Sequence, residues 1–276
     1  MNALGPTLAL ARREVRGVFS RYRLVVFLVL WTGAAIVLNY NYLPDVTRSF
    51  AEFAGQAREL LTIESMALLL GLCLAVPSIA AVSITAERDQ ETLDQLRLTL
   101  LTDRAILRGK AIASLAAAAA FIIAMMPVFA VAQFSVGLDN VQIIEVLVYV
   151  LVFTRMIVHI GLACSAFFRR ALPALAVTYL SLAILTFALG FLALDGSPII
   201  GLGGPSQSIR VLLPGGGPPV AVEEVLLSYL APSVVLRTIL RGAVPEWQIA
   251  LMCLMPLLLS FVAVRVARWG LVRTSE

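Results

Sequence analysis

Apolar residues run along most of this chain in long uninterrupted stretches, broken by short charged segments. A bilayer core of about 30 Å takes around 20 apolar residues of helix. Runs of that length predict membrane spans at 24–42, 65–84, 106–134, 143–168, 171–194 and 247–268. The first run, preceded by arginines, also has the outline of a signal peptide. Its apolar stretch is longer than a signal's and no small-x-small cleavage site follows, so an uncleaved first span is expected.

The intervening segments have patterns of their own. Leu4, Leu8, Ala11, Val15 and Phe19 share one helical face, with Arg12, Arg13 and Arg16 on the others. This predicts an interfacial helix over 1–22, apolar side in lipid and arginines toward anionic head groups. Between spans 1 and 2, Phe50, Phe53, Ala54, Ala57 and Leu61 recur at helical spacing and predict a short helix within 43–64. After span 2 the stretch 85–104 mixes both signs of charge with Leu93, Leu96 and Leu100 at i, i+3 and i+7. A plain connector needs only a few residues, so a helix packed against a soluble partner is expected there, the alternative being a solvated, salt-bridged helix. Asp103 is placed to cap the helix that follows. Segment 195–246 opens rich in Gly and Pro, then brings Val222, Val225, Leu226, Tyr229 and Leu230 onto one face, with a further apolar turn over Val234–Leu240. Neither piece can span alone, and a re-entrant helical hairpin is expected.

Composition agrees: 60% of residues are hydrophobic and 14% charged, against roughly 45–50% and about 25% in an average globular chain. The net charge of +4 matters through its distribution. With the N-terminus inside, inner segments collect Arg12, Arg13, Arg16, Arg21, Arg23, Arg88, Arg97, Arg104, Arg108, Lys110, Arg169, Arg170, Arg265, Arg268 and Arg273. Outer segments hold only Arg48, Arg58, Arg210, Arg237 and Arg241. By the positive-inside rule both termini are cytoplasmic, in a multi-pass protein of the cytoplasmic membrane, and the basic balance is no nucleic-acid signal. Trp247 and Trp269 are 22 residues apart, about 33 Å of helix, which matches the separation of the two aromatic belts.

Candidate chemistry is sparse. The single His159 and the scattered Cys73, Cys164 and Cys253 make neither a zinc site nor a disulfide framework. Gly109-Lys110 has Ala111 behind it and Arg104 where a P-loop needs Gly. No motif for metal- or serine-dependent proteolysis is complete, so no catalysis is expected. Arg155 lies within span 4 with His159 one turn on, an anion-contacting or proton-sensing face or an arginine held by neighbouring carbonyls. No Asp or Glu is expected deep in a span, which disfavours a proton-relay antiporter.

The segment Ile84–Lys110 resembles the corresponding stretch of the ABC-2 family of ABC-transporter permeases. Glu87, Arg88, Thr92, Leu93, Leu96, Thr99, Gly109 and Lys110 match that family's pattern, while Glu91, Asp94 and Leu100 stand where it has Gly, Glu and Pro. Leu230-Ala-Pro-Ser233 and Arg241-Gly-Ala-Val244 resemble the branch that includes gliding-motility and nitrous-oxide-reductase-maturation permeases. The resemblance implies a single all-α transmembrane domain over 1–276, paired with a second permease copy, alike or paralogous. It implies two separate P-loop ATPase subunits that carry ATP and Mg, with no cofactor bound by this chain. Glu87, Arg88, Glu91, Leu93, Leu96 and Arg97 would meet the ATPase on a coupling helix. A substrate path at the dimer interface, along spans 2 and 5, would place Pro77, Thr178 and Ser181 on its wall, with Arg155 and His159 as further candidates. The expected activity is export of a substrate that the sequence does not identify: apolar spans suit lipids, drugs and peptides alike, and a maturation permease would carry a small sulfur species or ion. A secondary transporter and a membrane scaffold are the alternatives.

Overall fold

The computed structural model describes residues 4–20, 22–42, 50–90, 102–136, 140–185, 210–211, 220–221, 235–236, 239–240 and 246–273. Among the described residues, the helices with defined bounds are α1 (Leu4–Phe19), α2 (Tyr22–Tyr42), α3 (Phe50–Val82), α4 (Thr85–Asp89), α5 (Asp103–Val136), α6 (Asn140–Phe167), α7 (Ala171–Ala183) and α8 (Glu246–Arg273). Four stretches among them are long and apolar enough to cross a membrane: Leu60–Asp89, Asp103–Ala130, Ile143–Phe167 and Met252–Arg273. The bent α1–α2 pair makes a fifth if counted as one span, and α7 is a shorter apolar helix. The protein is thus an all-helical bundle of membrane-spanning character. Of the fifth expected span, 171–194, residues 186–194 lie outside the described residues.

The core sits where α3, α5 and α6 meet. Leu68, Leu72 and Val76 pack there with Phe121, Met125, Tyr149, Phe153 and Met156. α8 lies along α6, α2 against α5 and α3, and α7 against α3 and α6. Close approach needs glycine at two crossings. A Cβ on Gly161 would lie 2.8 Å from the Ala80 Cβ, where α6 crosses α3. One on Gly71 would run into the Phe121 ring and the Trp31 indole, where α3 meets α5 and α2. The remaining apolar side chains face outward, among them Val29, Leu30, Ile123, Leu151, Phe261 and Val262. Such a surface suits lipid, which leaves no hydrophobic reason to bury it.

Two local expectations change. Phe50, Phe53 and Leu61 do lie on a helix, yet it is no separate short one. α3 is continuous over 33 residues, about 50 Å at ~1.5 Å per residue, and merges that segment with the second span. The merger carries Glu64 into the packed region at 3% exposure. A carboxyl group is therefore buried in a span where no deep acid is expected. The cap of α5 is Thr102 and not Asp103. Thr102 Oγ1 accepts from the Ala105 N–H at 3.3 Å, and Asp103 takes the first helical position, where its charge favours the helix dipole.

In α1, Leu8 and Phe19 of the side expected to face lipid are exposed, while Ala11 of that side is buried with Leu10, which packs against Ile106 of α5. Leu10 fills the space left by Gly109, where a Cβ would lie 2.9 Å from the Leu10 Cδ2. In segment 195–246, Arg210–Val211 and Val220–Ala221 form a short antiparallel pair. Val235, Leu236, Ile239 and Leu240 are helical and buried in the main core. The rest of the expected hairpin lies outside the described residues.

Candidate coupling site at the basic end

The ends of α3, α6 and α8, the starts of α5 and α7, and the short α4 gather at one end of the bundle. Arg88, Arg104, Arg108, Lys110, Arg169, Arg170, Arg268 and Arg273 all belong to these ends. Lys110, the single lysine of the chain, lies in the second turn of α5 with its side chain 1% exposed. A buried ammonium is costly unless paired and hydrogen-bonded. Its Nζ lies 2.9 Å from Glu87 Oε1 and 3.8 Å from Glu14 Oε1, and donates to the Ser83 carbonyl at 2.8 Å. One cation therefore ties the N-terminal helix, the α3–α4 joint and α5 together. Arg13, Glu14, Ser83, Glu87, Lys110 and Ser114 border a cleft of about 290 Å³ beside this pairing.

The joint between α3 and α4 is fixed to the end of α6 by bonds running both ways. Ser165 Oγ accepts from the Ile84 and Thr85 N–H groups at 3.0 and 3.2 Å. In return, Arg88 donates through Nη1 to the Phe168 carbonyl at 3.0 Å and through Nη2 to the Ala166 carbonyl at 2.9 Å. Helix starts lack acceptors for their first N–H groups and helix ends lack donors for their last carbonyls. Each end here supplies what the other lacks. A guanidinium can serve two carbonyls at once because its N–H groups form a fixed fork.

The expected coupling residues therefore divide. Glu87 and Arg88 are engaged within the chain, and Asp89 and Gln90, the last described residues of this stretch, are exposed. Glu91, Leu93, Leu96 and Arg97 lie outside the described residues. Sequence reasoning reaches Lys110 only through a Gly-Lys match, and does not reach Glu14, Ser83 or Ser165. A lone lysine among arginines is the available signal for the first. A serine at a helix end offers none.

The expected path residues also divide. Pro77 is buried in α3, where it lacks the N–H that would bond the Cys73 carbonyl and its ring crowds the preceding turn. The neighbouring Leu74 carbonyl receives the Tyr179 hydroxyl of α7 at 2.6 Å. Thr178 and Ser181 donate within their own helix, to the Ala174 carbonyl at 2.6 Å and the Thr178 carbonyl at 2.8 Å. Tyr179, between them, reaches across to α3, and Thr178 also meets Cys164 of α6. Arg155 and His159 belong elsewhere. They line a second cleft, between α5, α6 and α8, together with Arg104, Arg108 and Arg268. His159 Nδ1 is 2.8 Å from both the Arg155 carbonyl and Ser260 Oγ. A carbonyl only accepts, whereas the Ser260 hydroxyl can either donate to the imidazole or accept from it.

Among the described residues no group of His, Cys, Asp and Glu has the arrangement of a metal site. No protein-family model matches the chain, and no curated protein matches it.

Proposed function

We propose that this chain is the permease subunit of an ATP-driven exporter of the ABC-2 type. In this reading six spans cross the cytoplasmic membrane, and the basic end and both termini face the cytoplasm. α1 lies at the inner interface, and two P-loop ATPase subunits bind the segment that follows α3 in each of two permease copies. The observation that carries the reading is the double fastening of that segment. Lys110 holds Glu87 to α5 and α1, and Arg88 holds the same turn to the end of α6. A force applied at Asp89 and beyond is then transmitted to three spans at once, where a Gly/Ser loop would absorb it. The resemblance over Ile84–Lys110 supplies the source of that force.

Because Glu87 and Arg88 hold the chain together, the discriminating substitutions lie at the exposed Asp89 and Gln90. The tagged full chain is co-expressed with the P-loop ATPase encoded in its gene neighbourhood, and co-purification is measured. Wild type retains the ATPase. Asp89→Arg with Gln90→Arg lowers the retained ATPase at least about tenfold, the effect of some 1.4 kcal/mol, with unchanged permease yield and unfolding midpoint. A wild-type chain that neither retains an ATPase nor has one encoded nearby overturns the reading.

Glu64 favours a second reading, a secondary transporter, since a buried ionisable group in a span is a functional candidate by default. Proton-driven flux in vesicles lacking any ATPase, abolished in Glu64→Gln, would decide for it.

A further inference from the structure

The cleft that holds Arg155 is built almost entirely of cations and apolar side chains. Arg104 and Arg108 stand one turn apart at the start of α5, Arg155 and His159 one turn apart on α6, and Arg268 comes from α8. Leu107, Ala111, Leu162, Val264 and Ala267 complete its wall, and no carboxylate lines it among the described residues. The cleft is about 210 Å³. None of these arginines takes part in an ion pair among the described residues. The Nε of Arg268 is buried without any acceptor among them. Like charges brought together on three helices repel, and a buried donor left unmade costs the full desolvation of that group. An arrangement of this kind is stable when an anion completes it.

The geometry points to a binding site for a phosphate ester. Guanidinium forks match phosphate oxygens in pairs, and several arginines converging from separate helices suit a group with three or four acceptor oxygens. The position agrees with a headgroup. Next to Arg268, Trp269 is exposed, its ring 5.9 Å from that of Phe167 and 5.4 Å from the Arg273 guanidinium above it, as aromatic side chains are at the level of lipid head groups. Basic clefts between helix ends at that level take anionic lipid head groups. The shared chemistry is a phosphate, brought either by an anionic phospholipid or by a soluble phosphate. The inference stands apart from the transport reading, since it needs no ATPase.

The test uses the purified full chain in zwitterionic detergent, titrated with short-chain phosphatidylglycerol, with phosphatidylcholine, and with inorganic phosphate, binding being followed by native mass spectrometry and by the unfolding midpoint. Phosphatidylglycerol binds saturably and phosphatidylcholine at least tenfold more weakly. Arg155→Gln and the exposed pair Arg104→Gln/Arg108→Gln each weaken binding about tenfold or more, the order expected for a charge-assisted hydrogen bond. Arg155→Lys loses less than Arg155→Gln. The exposed pair leaves the unfolding midpoint of the lipid-free chain unchanged or raised, since it removes repelling charges, which separates lost binding from lost folding. Displacement of the lipid by inorganic phosphate at comparable concentration identifies a soluble phosphate as the ligand; no displacement identifies the lipid. Affinity unchanged in the arginine variants, equal binding of phosphatidylcholine, or no saturable binding of either anion overturns the assignment.

Discussion

Lys110 Nζ and Glu87 Oε1 lie 2.9 Å apart at the junction of α5 and α4, on side chains 1% and 15% exposed. Removing one partner of such a pair leaves an uncompensated charge, which costs about 3–5 kcal/mol, whereas replacing both is far less costly. Lys110→Met is therefore expected to destabilise the chain by roughly that amount, and Lys110→Met/Glu87→Gln to recover much of the loss. The double-mutant cycle, read from unfolding free energies in mixed micelles, should give a coupling of about 1–3 kcal/mol. Additive single effects would mean that the pair is not a unit.

Arg88 should matter through geometry more than through charge. Arg88→Ala strips donors from the Ala166 and Phe168 carbonyls, each bond to a charged group contributing about 1.5–3 kcal/mol. Arg88→Lys keeps the charge but cannot reach two carbonyls with one fork, so it recovers less than half of the loss. Hydrogen exchange localises the effect. Amides at the end of α6, Phe168 among them, whose N–H donates to the Cys164 carbonyl at 3.0 Å, exchange faster in both variants. Protection unchanged in Arg88→Ala would show that α6 ends securely without it.

These two contacts mark where the sequence stops being legible. The spans can be read because lipid demands continuous apolar helix, so 106–134 and 143–168 match α5 and α6 with little shift. The start of α3 resists such a reading because Arg58, Glu59 and Glu64 interrupt the apolar run, although the face of Phe50, Phe53 and Leu61 continues through them. Hydrophobic runs report burial in lipid, while helix continuity also depends on backbone bonding that tolerates charged positions. The fastening of the basic end is beyond reach for another reason. Arg88 meets carbonyls some 80 positions on, and a backbone carbonyl has no sequence signature.

Glycine substitutions separate helix propensity from packing. A Cβ on Gly33 would meet nothing within 4 Å, whereas one on Gly161 would press on the Ala80 Cβ at 2.8 Å and on the Ala81 backbone nitrogen at 3.3 Å. Gly33→Ala is expected to be neutral or to gain up to about 1 kcal/mol from helix propensity. Gly161→Ala must part α6 from α3, where backbone cannot yield, and loses about 1–3 kcal/mol as over-packed sites do. Unfolding midpoints measured side by side should move in opposite directions or leave Gly33→Ala unmoved; equal losses would show that both glycines serve only the local backbone.

Tyr179 and Pro77 offer the sharpest test of how α3 and α7 are joined. The Tyr179 hydroxyl donates to the Leu74 carbonyl at 2.6 Å, whereas the carbonyl that Pro77 deprives of its helical donor is that of Cys73. Tyr179→Phe removes the hydroxyl donor alone and is expected to cost about 1 kcal/mol. Pro77→Ala returns an N–H to the Cys73 carbonyl and leaves the Leu74 carbonyl as it was, so the same change should cost about as much in that background. Unfolding free energies of the four chains measure the difference. A Tyr179→Phe cost that falls markedly in the Pro77→Ala background would show that the proline itself opens the Leu74 carbonyl to the tyrosine.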